Sequence, residues 1–331
     1  MSHRSSFRML LRFISLCVTL VLCGLPVAVH ADDAWPDRPV RIVAPFPAGG
    51  SVDVVARILA QRLGILWKQG VVVDNRPGAG GMIGASVTAK SPADGYTLML
   101  ASGSMFTVNQ YIYKQLPYSN ADISYITTVA SNPMVVAVAP SVPADNLKEL
   151  IAIGRAHPMQ LNFGSAGIGS QVHMADEAFA DAAGIQMTHV PYKGEALALN
   201  DLMAGRVQVV LSNIVAALPF IKGKTVKALA VTDTHRSSAL PDVPTADEAG
   251  LAGFDVTGWF ALVAPAGTPQ NIIDKVQRDT VKVLMDADTQ KQFAALGMET
   301  KGDTPQQLKS NIEAESLKWQ QVVRNRHLSA N

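Results

Sequence analysis

The chain has 331 residues, 48% of them hydrophobic, and carries 28 basic and 27 acidic side chains. This near-neutral balance gives no electrostatic basis for a nucleic-acid partner, so any selectivity for anions must come from a local site. Both cysteines, Cys17 and Cys23, lie close to the N terminus, which excludes a disulfide framework, a thiol nucleophile and a cysteine metal site from the rest of the chain.

Residues 1–31 have the pattern of a cleavable export signal. Three arginines and no acidic residue precede an apolar run, and small residues before Ala31 suit a cut that leaves Asp32 as the new N terminus. Removing this segment leaves 25 basic and 27 acidic residues, a net charge of −2. An uncleaved anchor is an alternative, although the apolar run is short and broken by Pro26. A lipoprotein cut before Cys23 is another, although a bulky leucine precedes that cysteine.

Strand-like and helix-like segments alternate along the remaining chain. Strands are predicted at 40–44, 71–74, 97–101, 134–139, 161–164, 186–190, 207–212, 226–232 and 256–263. Helices are predicted at 52–64, 82–90, 145–156, 171–183, 195–204, 269–286 and 304–325. Such alternation predicts an α/β fold with mainly parallel sheets flanked by helices, and nine strands fit two sheets better than one.

Two breaks in the alternation predict two lobes. A proline follows Asn132, and a glycine-containing stretch precedes residue 257. We expect residues 32–132 plus 257–331 to form a discontinuous first lobe and residues 133–256 to form the second. Two adjacent connections would act as a hinge, with the ligand cleft between the lobes. We expect this two-lobed protein to be a monomer.

The first candidate site is the turn between the strand 40–44 and the helix that follows. Its binding residues would be Phe46, Ala48, Gly49, Gly50 and Ser51. A helix N terminus offers free N–H groups and a positive dipole end, so carboxylates and phosphates bind there. We expect Ser51 to be the N-cap. The alternative is a plain turn with no ligand.

Asp53 in the first turn of this helix has two possible roles. It could complement the helix dipole, or it could face the cleft and meet a cationic or hydroxyl group of the ligand.

Three further turns follow predicted strands. The glycines of Asn75–Gly84 break dinucleotide-binding spacing, so a close helix-to-sheet approach is the preferred interpretation. Ser102 and Ser104, in the turn after the predicted strand 97–101, are also candidate binding residues. The fourth turn, 164–173, repeats the anion-binding pattern in the second lobe. Its candidate residues are Ser165, Ala166, Gly169 and Ser170. Two such turns could hold one ligand from both sides.

Catalytic and metal patterns are absent from the sequence. Ser165 does not lie in a G-x-S-x-G elbow, the histidines show no metal-ligand spacing, and His173 fits a structural role. We therefore expect no catalytic residue, no metal and no cofactor.

Seven motifs occur in order along the chain, and together they resemble the Bug receptors, the extracytoplasmic solute-binding subunits of tripartite tricarboxylate transporters. They are WPDRPVR at 35–41, PFPAGGSVD at 45–53, NRPGAGG at 75–81, PADGYT at 92–97, HVPYKG at 189–194, LPDVPT at 240–245 and APAGTP at 264–269. The resemblance implies a periplasmic two-lobed Venus flytrap that binds a small organic anion: a di- or tricarboxylic acid, an aromatic acid or an acidic amino acid. It also implies a membrane transporter as partner.

One position departs from the family pattern. The family often has an aspartate after the strand 207–211, whereas this chain has Ser212 and then Asn213, which we include among the binding residues. Without a carboxylate at this position, the cleft would suit a plain acid better than a ligand with an amino group. The change would have no effect if the side chain faces away from the cleft. Two other functions stay open: an orphan receptor that presents its ligand to a regulator, and a secreted α/β hydrolase.

Overall fold

The structure, a computed structural model, describes residues 35–330, so the predicted export signal and its cleavage site lie outside the described residues. The strands of the described chain, in order, are β1 Val40–Ala44, β2 Val71–Asn75, β3 Thr97–Ser102, β4 Ile123–Val138, β5 Asn162–Ser165, β6 Thr188–Pro191, β7 Val209–Asn213, β8 Lys227–Val231, β9 Thr257–Pro265 and β10 Glu299–Thr300.

Helices alternate with these strands. They are α1 Ser51–Trp67, α2 Met82–Ala89, α3 Ser104–Thr107, α4 Asn109–Ile112, α5 Leu147–Ala156, α6 Gln171–Ala183, α7 Glu195–Met203, α8 Ile214–Lys222, α9 Gln270–Leu284, α10 Ala287–Ala295 and α11 Pro305–Asn325. Short 3₁₀ turns occur at Ala79–Gly81 and Asn120–Asp122.

The sheet is mixed. Its hydrogen-bonded order is β2-β1-β3-β9-β4-β7-β5-β6, and β8 and β10 also pair with β4. Strands β1, β2 and β3 are parallel, as are β5, β6 and β7, whereas β4 and β9 pair antiparallel with their neighbours. The predicted α/β class is confirmed. The strands form one continuous sheet and not the two separate sheets expected, because the antiparallel β4 and β9 join the two parallel groups.

The long strand β4 passes through the point where the sequence predicts a lobe boundary. Pro133 pairs with Thr257 and Asn132 pairs with Gly258, so the two predicted crossing points lie opposite each other on neighbouring strands. Strand β4 is not interrupted at the proline, but its partners change there: its pairing with β9 ends at Pro133, and from Met134 onward it pairs with β7 and β8. By its contacts the chain from Pro36 onward is one compact unit, and its division into two lobes stays a prediction.

Helix α1 shows how the sequence pattern becomes packing. Val52, Val55, Leu59 and Leu63 recur at helical spacing, and all are buried. Burying such a side chain contributes about 1.5–3 kcal/mol. This apolar stripe fixes the position of the helix against the sheet, and therefore the position of its N terminus.

Helix α8 is not among the helices that the sequence pattern predicts. Its residues are almost all apolar, so no amphipathic period marks it, and Pro219 lies inside it where a helix break is normally expected. The predicted helix 269–286 ends at Leu284, and a further helix, α10, begins after Asp286, whose side chain caps Thr289 N. Within residues 35–330, no helix combines the length and the apolar character that crossing a membrane requires.

Candidate functional site

A cavity of about 230 Å³ lies where several strand-to-helix turns meet. Its wall is built by residues of the turns before α1, α6, α7 and α8, together with residues from β3 and β9. These residues are Phe46, Pro47, Ala48, Gly50, Ser51, Val52, Ser102, Ala166, Ser170, Gln171, Val172, Gly194, Glu195, Ala196, Leu197, Asn200, Asn213 and Phe260. Its volume is slightly below the roughly 300–1,000 Å³ typical of ligand pockets, which indicates a small ligand.

The N terminus of α1 opens onto this cavity. Gly50 is the N-cap and no side chain caps the helix there, so the expectation that Ser51 would be the N-cap is wrong. Ser51 is instead the first helical residue, and its hydroxyl is used elsewhere. Gly49 has φ of +82°, which the turn requires and which glycine adopts without strain. Because 17 residues follow in the helix, its dipole end faces the cavity at Ser51 and Val52.

The N terminus of α6 faces the same cavity. Ser170 is the N-cap and its hydroxyl oxygen accepts from His173 N at 3.2 Å, as the sequence pattern suggests. The first two helical residues, Gln171 and Val172, line the cavity. The backbone N–H groups of the first helical turn have no partner within the helix, so this end can also receive an anion.

A third helix, α7, begins at the cavity wall with Glu195 after the N-cap Gly194. Three helix N termini therefore converge on one small space. None of the described residues that line it is Lys, Arg or His. The described wall therefore offers an anion backbone dipoles and N–H groups and no cationic side chain.

Glu195 is the one carboxylate in the described wall of the cavity, and it is 5% exposed. Oε2 accepts from Ser51 Oγ at 2.8 Å, and Oε1 accepts from Ser212 Oγ at 2.9 Å and from Asn213 N at 2.6 Å. Asn213 Nδ2 contacts both carboxylate oxygens at 2.9 Å. Burial raises the pKa of Glu195, and these hydrogen bonds only partly offset that effect.

Glu195 lies beside Ser212 and Asn213, where the resemblance leads us to expect an aspartate. The hydroxyl of Ser212 points to the Glu195 carboxylate and not to the cavity space. A carboxylate is therefore present next to Ser212, and helix α7 supplies it.

Part of the cavity wall is apolar. Phe46, Phe260, Val172 and Leu197 contribute carbon surface, and Leu197 is 44% exposed. A ligand with a hydrocarbon body fits such walls, while its polar ends must find the helix N termini.

Asp53 lies beneath the first turn and is not among the residues that line the cavity. Its carboxylate accepts from Gly49 N at 3.0 Å, from Arg57 Nε at 2.9 Å and from Asn75 Nδ2 at 2.9 Å. Burial raises the pKa of this carboxyl, but the hydrogen bonds with Arg57, Gly49 N and Asn75 outweigh it, and the pKa is lowered. The contacts give Asp53 the role of holding the Gly49 turn in place.

Ser165 lies behind the second predicted turn. Its Oγ is 2.6 Å from Nε2 of His189 and accepts from Gly167 N at 3.1 Å, and the residue is fully buried outside the cavity wall. His189 stacks on His173 with ring centroids 4.1 Å apart. His173 Nδ1 in turn accepts from Gly169 N at 3.2 Å.

These contacts tie the Ser165–Ser170 turn to a buried histidine pair. Burial lowers the pKa of His189 to about 4 and, together with the neighbouring His189, lowers that of His173 to about 3. A serine–histidine contact is therefore present, but it lies outside the cavity and its hydroxyl braces the turn.

The glycines of the 75–84 segment serve two different contacts. A Cβ on Gly84 would lie 2.7 Å from Pro45, so this glycine permits the predicted close approach of α2 to the end of β1. Gly80 has φ of +59° and a Cβ there would lie 2.4 Å from the Ile168 carbonyl oxygen. This second glycine therefore lets the 75–84 segment touch the turn before α6.

The structure brings eight of the thirteen predicted binding residues to the cavity wall. They are Phe46, Ala48, Gly50, Ser51, Ser102, Ala166, Ser170 and Asn213. The other five lie behind it: Gly49, Asp53 and Gly169 shape the turns, Ser165 contacts His189, and Ser104 is buried beside Trp259. Ligand contact by any of the thirteen stays a prediction.

Sequence reasoning missed Glu195, Gln171 and Phe260. Glu195 looks like an ordinary first-turn acid, although its place directly after a strand-to-helix turn puts it at the same sheet edge as the predicted loops. Gln171 Oε1 accepts from Ser102 Oγ at 2.9 Å, and Gln171 Nε2 is buried without a protein partner among the described residues. Within residues 35–330, no three His, Cys, Asp or Glu side chains are placed to hold a metal ion.

Comparison with known proteins gives consistent matches over nearly the whole chain. The family model described as "Tripartite tricarboxylate transporter family receptor" matches residues 55–328. Protein BugT of Bordetella pertussis is 38% identical over 309 residues, which cover 93% of this chain and 94% of BugT.

Two solved structures are also similar. R. palustris Rpa4515, solved with adipate, has a TM-score of 0.87 and 34% identity, covering 89% of this chain and 99% of that one. MatC from Rhodopseudomonas palustris, solved with bound malate, has a TM-score of 0.82 and 29% identity, covering 87% of this chain and 100% of that one.

Proposed function

This chain belongs to the tripartite tricarboxylate transporter receptor family, and we propose that it is a periplasmic solute-binding receptor for a small carboxylate. The ligand occupies the 230 Å³ cavity and is released to a membrane transporter. The receptor works by closure of two lobes around the ligand, without a catalytic step and without a metal or other cofactor.

The convergence of three helix N termini on a wall without cationic side chains carries this proposal. A carboxylate at the N terminus of α1 or α6 accepts backbone N–H hydrogen bonds and interacts favourably with the dipole. A phosphate would usually recruit arginine or lysine in addition, and no such side chain is among the described wall residues. The chemistry of the wall therefore favours a carboxylate with an apolar body.

The solved relatives support the same ligand class. Rpa4515 was solved with adipate and MatC with malate, and both ligands are small carboxylic acids.

Closure of two lobes is supported by how the wall is assembled. Phe46, Ser51 and Phe260 belong to the proposed first lobe, whereas Ser170 and Glu195 belong to the proposed second lobe. The chain passes between the two parts on paired strands β4 and β9, which places both crossings side by side. A ligand that contacts both parts stabilises the closed form by its differential contacts.

Export to the periplasm and transfer to a membrane transporter complete the proposal. The intact mass of the exported protein should correspond to a chain that begins at Asp32. A lipid-modified N terminus at Cys23 would contradict a freely diffusing receptor. Uptake of the ligand into cells that contain or lack the transporter distinguishes delivery to a transporter from presentation to a regulator.

The test is a thermal-shift screen of the purified protein against organic acids and their neutral amides, followed by calorimetric titration of the hits. We expect stabilisation by acids and not by amides, with about 2.7 kcal/mol at a ligand concentration one hundred times the Kd. Binding only of neutral or cationic solutes, or a requirement for a divalent ion, would contradict the proposal. Hydrolysis of the matching esters would contradict the absence of catalysis.

A further inference from the structure

The hydrogen-bond directions around Glu195 limit what the ligand can offer to that corner of the cavity. A serine hydroxyl has one hydrogen to donate, and an ionised carboxylate has none. Ser51 Oγ donates its hydrogen to Glu195 Oε2 at 2.8 Å and accepts from Asn213 Nδ2 at 3.1 Å. Ser51 therefore presents a lone pair to the cavity and has no hydrogen left for a ligand carboxylate.

The hydrogens of the side chains next to Ser51 are also directed toward Glu195 and away from the cavity. Asn213 Oδ1 accepts from Asn132 Nδ2, which orients the amide so that its hydrogens point to Glu195 and Ser51. The hydroxyl of Ser212 is also donated to Glu195. We define the acceptor corner as Ser51, Glu195 and Asn213. Its free hydrogen-bonding capacity toward the cavity consists of acceptors.

The side of the cavity next to α6 has the opposite character. Gln171 Nε2 packs against Gly258, outside the cavity wall, so the donors on this side are Ser170 and the N terminus of α6. Ser170 uses its oxygen to accept from His173 N, so its hydroxyl hydrogen is available as a donor. The Ser170 hydroxyl and the N–H groups of the first turn of α6 together suit a carboxylate.

We propose that Glu195 determines specificity by excluding a second carboxylate from the acceptor corner and selecting a small acid with a hydroxyl or ammonium donor at its other end. A carboxylate in the corner would meet the buried Glu195 charge with no cationic side chain in the described wall to separate them. A hydroxyl or ammonium group would instead donate to Glu195 Oε2 or to Ser51 Oγ. This inference rests on the proposed function and narrows its ligand class.

The test compares matched ligands that differ only at one end. The pairs are succinate with 4-hydroxybutyrate, glutarate with 5-hydroxypentanoate and adipate with 6-hydroxyhexanoate, and the corresponding ω-amino acids distinguish an ammonium from a hydroxyl donor. For the chain length that binds best, we expect the wild-type protein to prefer the donor-bearing acid over the diacid by about tenfold or more, since like charges placed together oppose binding strongly.

Two variants at the same position complete the test. Glu195→Gln removes the charge, and Glu195→Ala also frees the Ser51 hydroxyl. In both we expect the preference to fall below about threefold, mainly through tighter diacid binding. Glu177→Gln is the matched control, because Glu177 is a similarly buried acid outside the cavity wall. Its own contacts are to Arg326 and His173. The thermal midpoint of each variant without ligand identifies variants that fail to fold.

The outcomes separate this inference from the proposed function. If no acid binds to the wild-type protein, the proposed function fails. If acids bind but the diacid binds as well as its hydroxy partner, or if the preference survives in both folded Glu195 variants, the specificity role of Glu195 is wrong and the receptor function stands.

Discussion

Substituting Gly194 tests whether the two sides of the cavity must approach each other when a ligand binds. Gly194 has φ of 177°, an extended conformation that alanine adopts without strain. A Cβ there would nevertheless lie 2.5 Å from Pro47 Cδ and 2.7 Å from Pro47 Cγ, whereas ordinary contacts are 3.4–4 Å. The added methyl group therefore acts on the distance between two loops that belong to different proposed lobes.

In Gly194→Ala the two loops must separate by about 1 Å, and overpacking of this size costs about 1–3 kcal/mol. If the loops separate freely in the ligand-free protein, this cost falls on the closed, bound state. We then expect the Kd measured by calorimetry to rise roughly 5- to 150-fold, with little change in the thermal midpoint without ligand.

Gly70→Ala is the matched control for this substitution. Its Cβ would lie 3.6 Å from Pro39, an ordinary contact outside the cavity wall, so affinity should be unchanged. Wild-type affinity in Gly194→Ala would show that the Pro47 contact is not part of the bound state. A large fall in the ligand-free thermal midpoint would show that the contact belongs to a rigid core and does not open.

Three further predictions concern titratable groups. Asp53→Asn should lower the free energy of unfolding by about 1–3 kcal/mol and leave Kd unchanged, because its carboxylate bonds Arg57 and the turn and not the cavity. Because the pKa of Asp53 is lower in the folded protein, the carboxylate stabilises the fold fully above its unfolded-state pKa, and this stabilisation is lost as the pH falls below that value. A Kd for Asp53→Asn that differs from the wild-type Kd in the same buffer would refute this role. The pKa values of His173 and His189 are lowered to about 3 and about 4, so the free energy of unfolding should fall as the pH drops from 6.5 toward 4. Equal free energies of unfolding in urea at pH 7 and pH 5 would contradict this prediction. Because the pKa of Glu195 is raised, adipate should bind the wild-type protein more tightly at pH 5.5 than at pH 7, and this gain in affinity should be larger than in Glu195→Gln. An identical pH dependence of the Kd in both proteins would count against protonation of Glu195.

The regular parts of the fold were predictable because their patterns are local. The strand Val40–Ala44 and the helix Gln171–Ala183 begin and end where the sequence predicts. Glycine- and serine-rich turns after strands also indicated which edge of the sheet carries the cavity. By contrast, α8 lacks an amphipathic period and contains Pro219, so its burial on both sides was not visible locally.

The hydrogen-bonding character of the site depends on contacts between distant parts of the chain. Ser51 and Glu195 are 144 residues apart, and their 2.8 Å contact decides that the serine hydroxyl faces the glutamate and not the cavity. Ser51 alone looked like a helix cap and a ligand donor. The sequence allows two roles for Asp53, a helix-dipole partner or a cleft-facing residue. Its contacts with Arg57 and Asn75 hold the side chain behind the cavity wall.

The measurement that tests the central claim most directly is a crystal structure of the protein with a saturating small carboxylate identified by the screen. We predict electron density for the ligand in the 230 Å³ cavity, with carboxylate oxygens within hydrogen-bond distance of first-turn N–H groups of α1 or α6 and with no metal ion bound. A ligand bound elsewhere, or a carboxylate held by lysine, arginine or a metal, would contradict the account of anion binding by helix N termini.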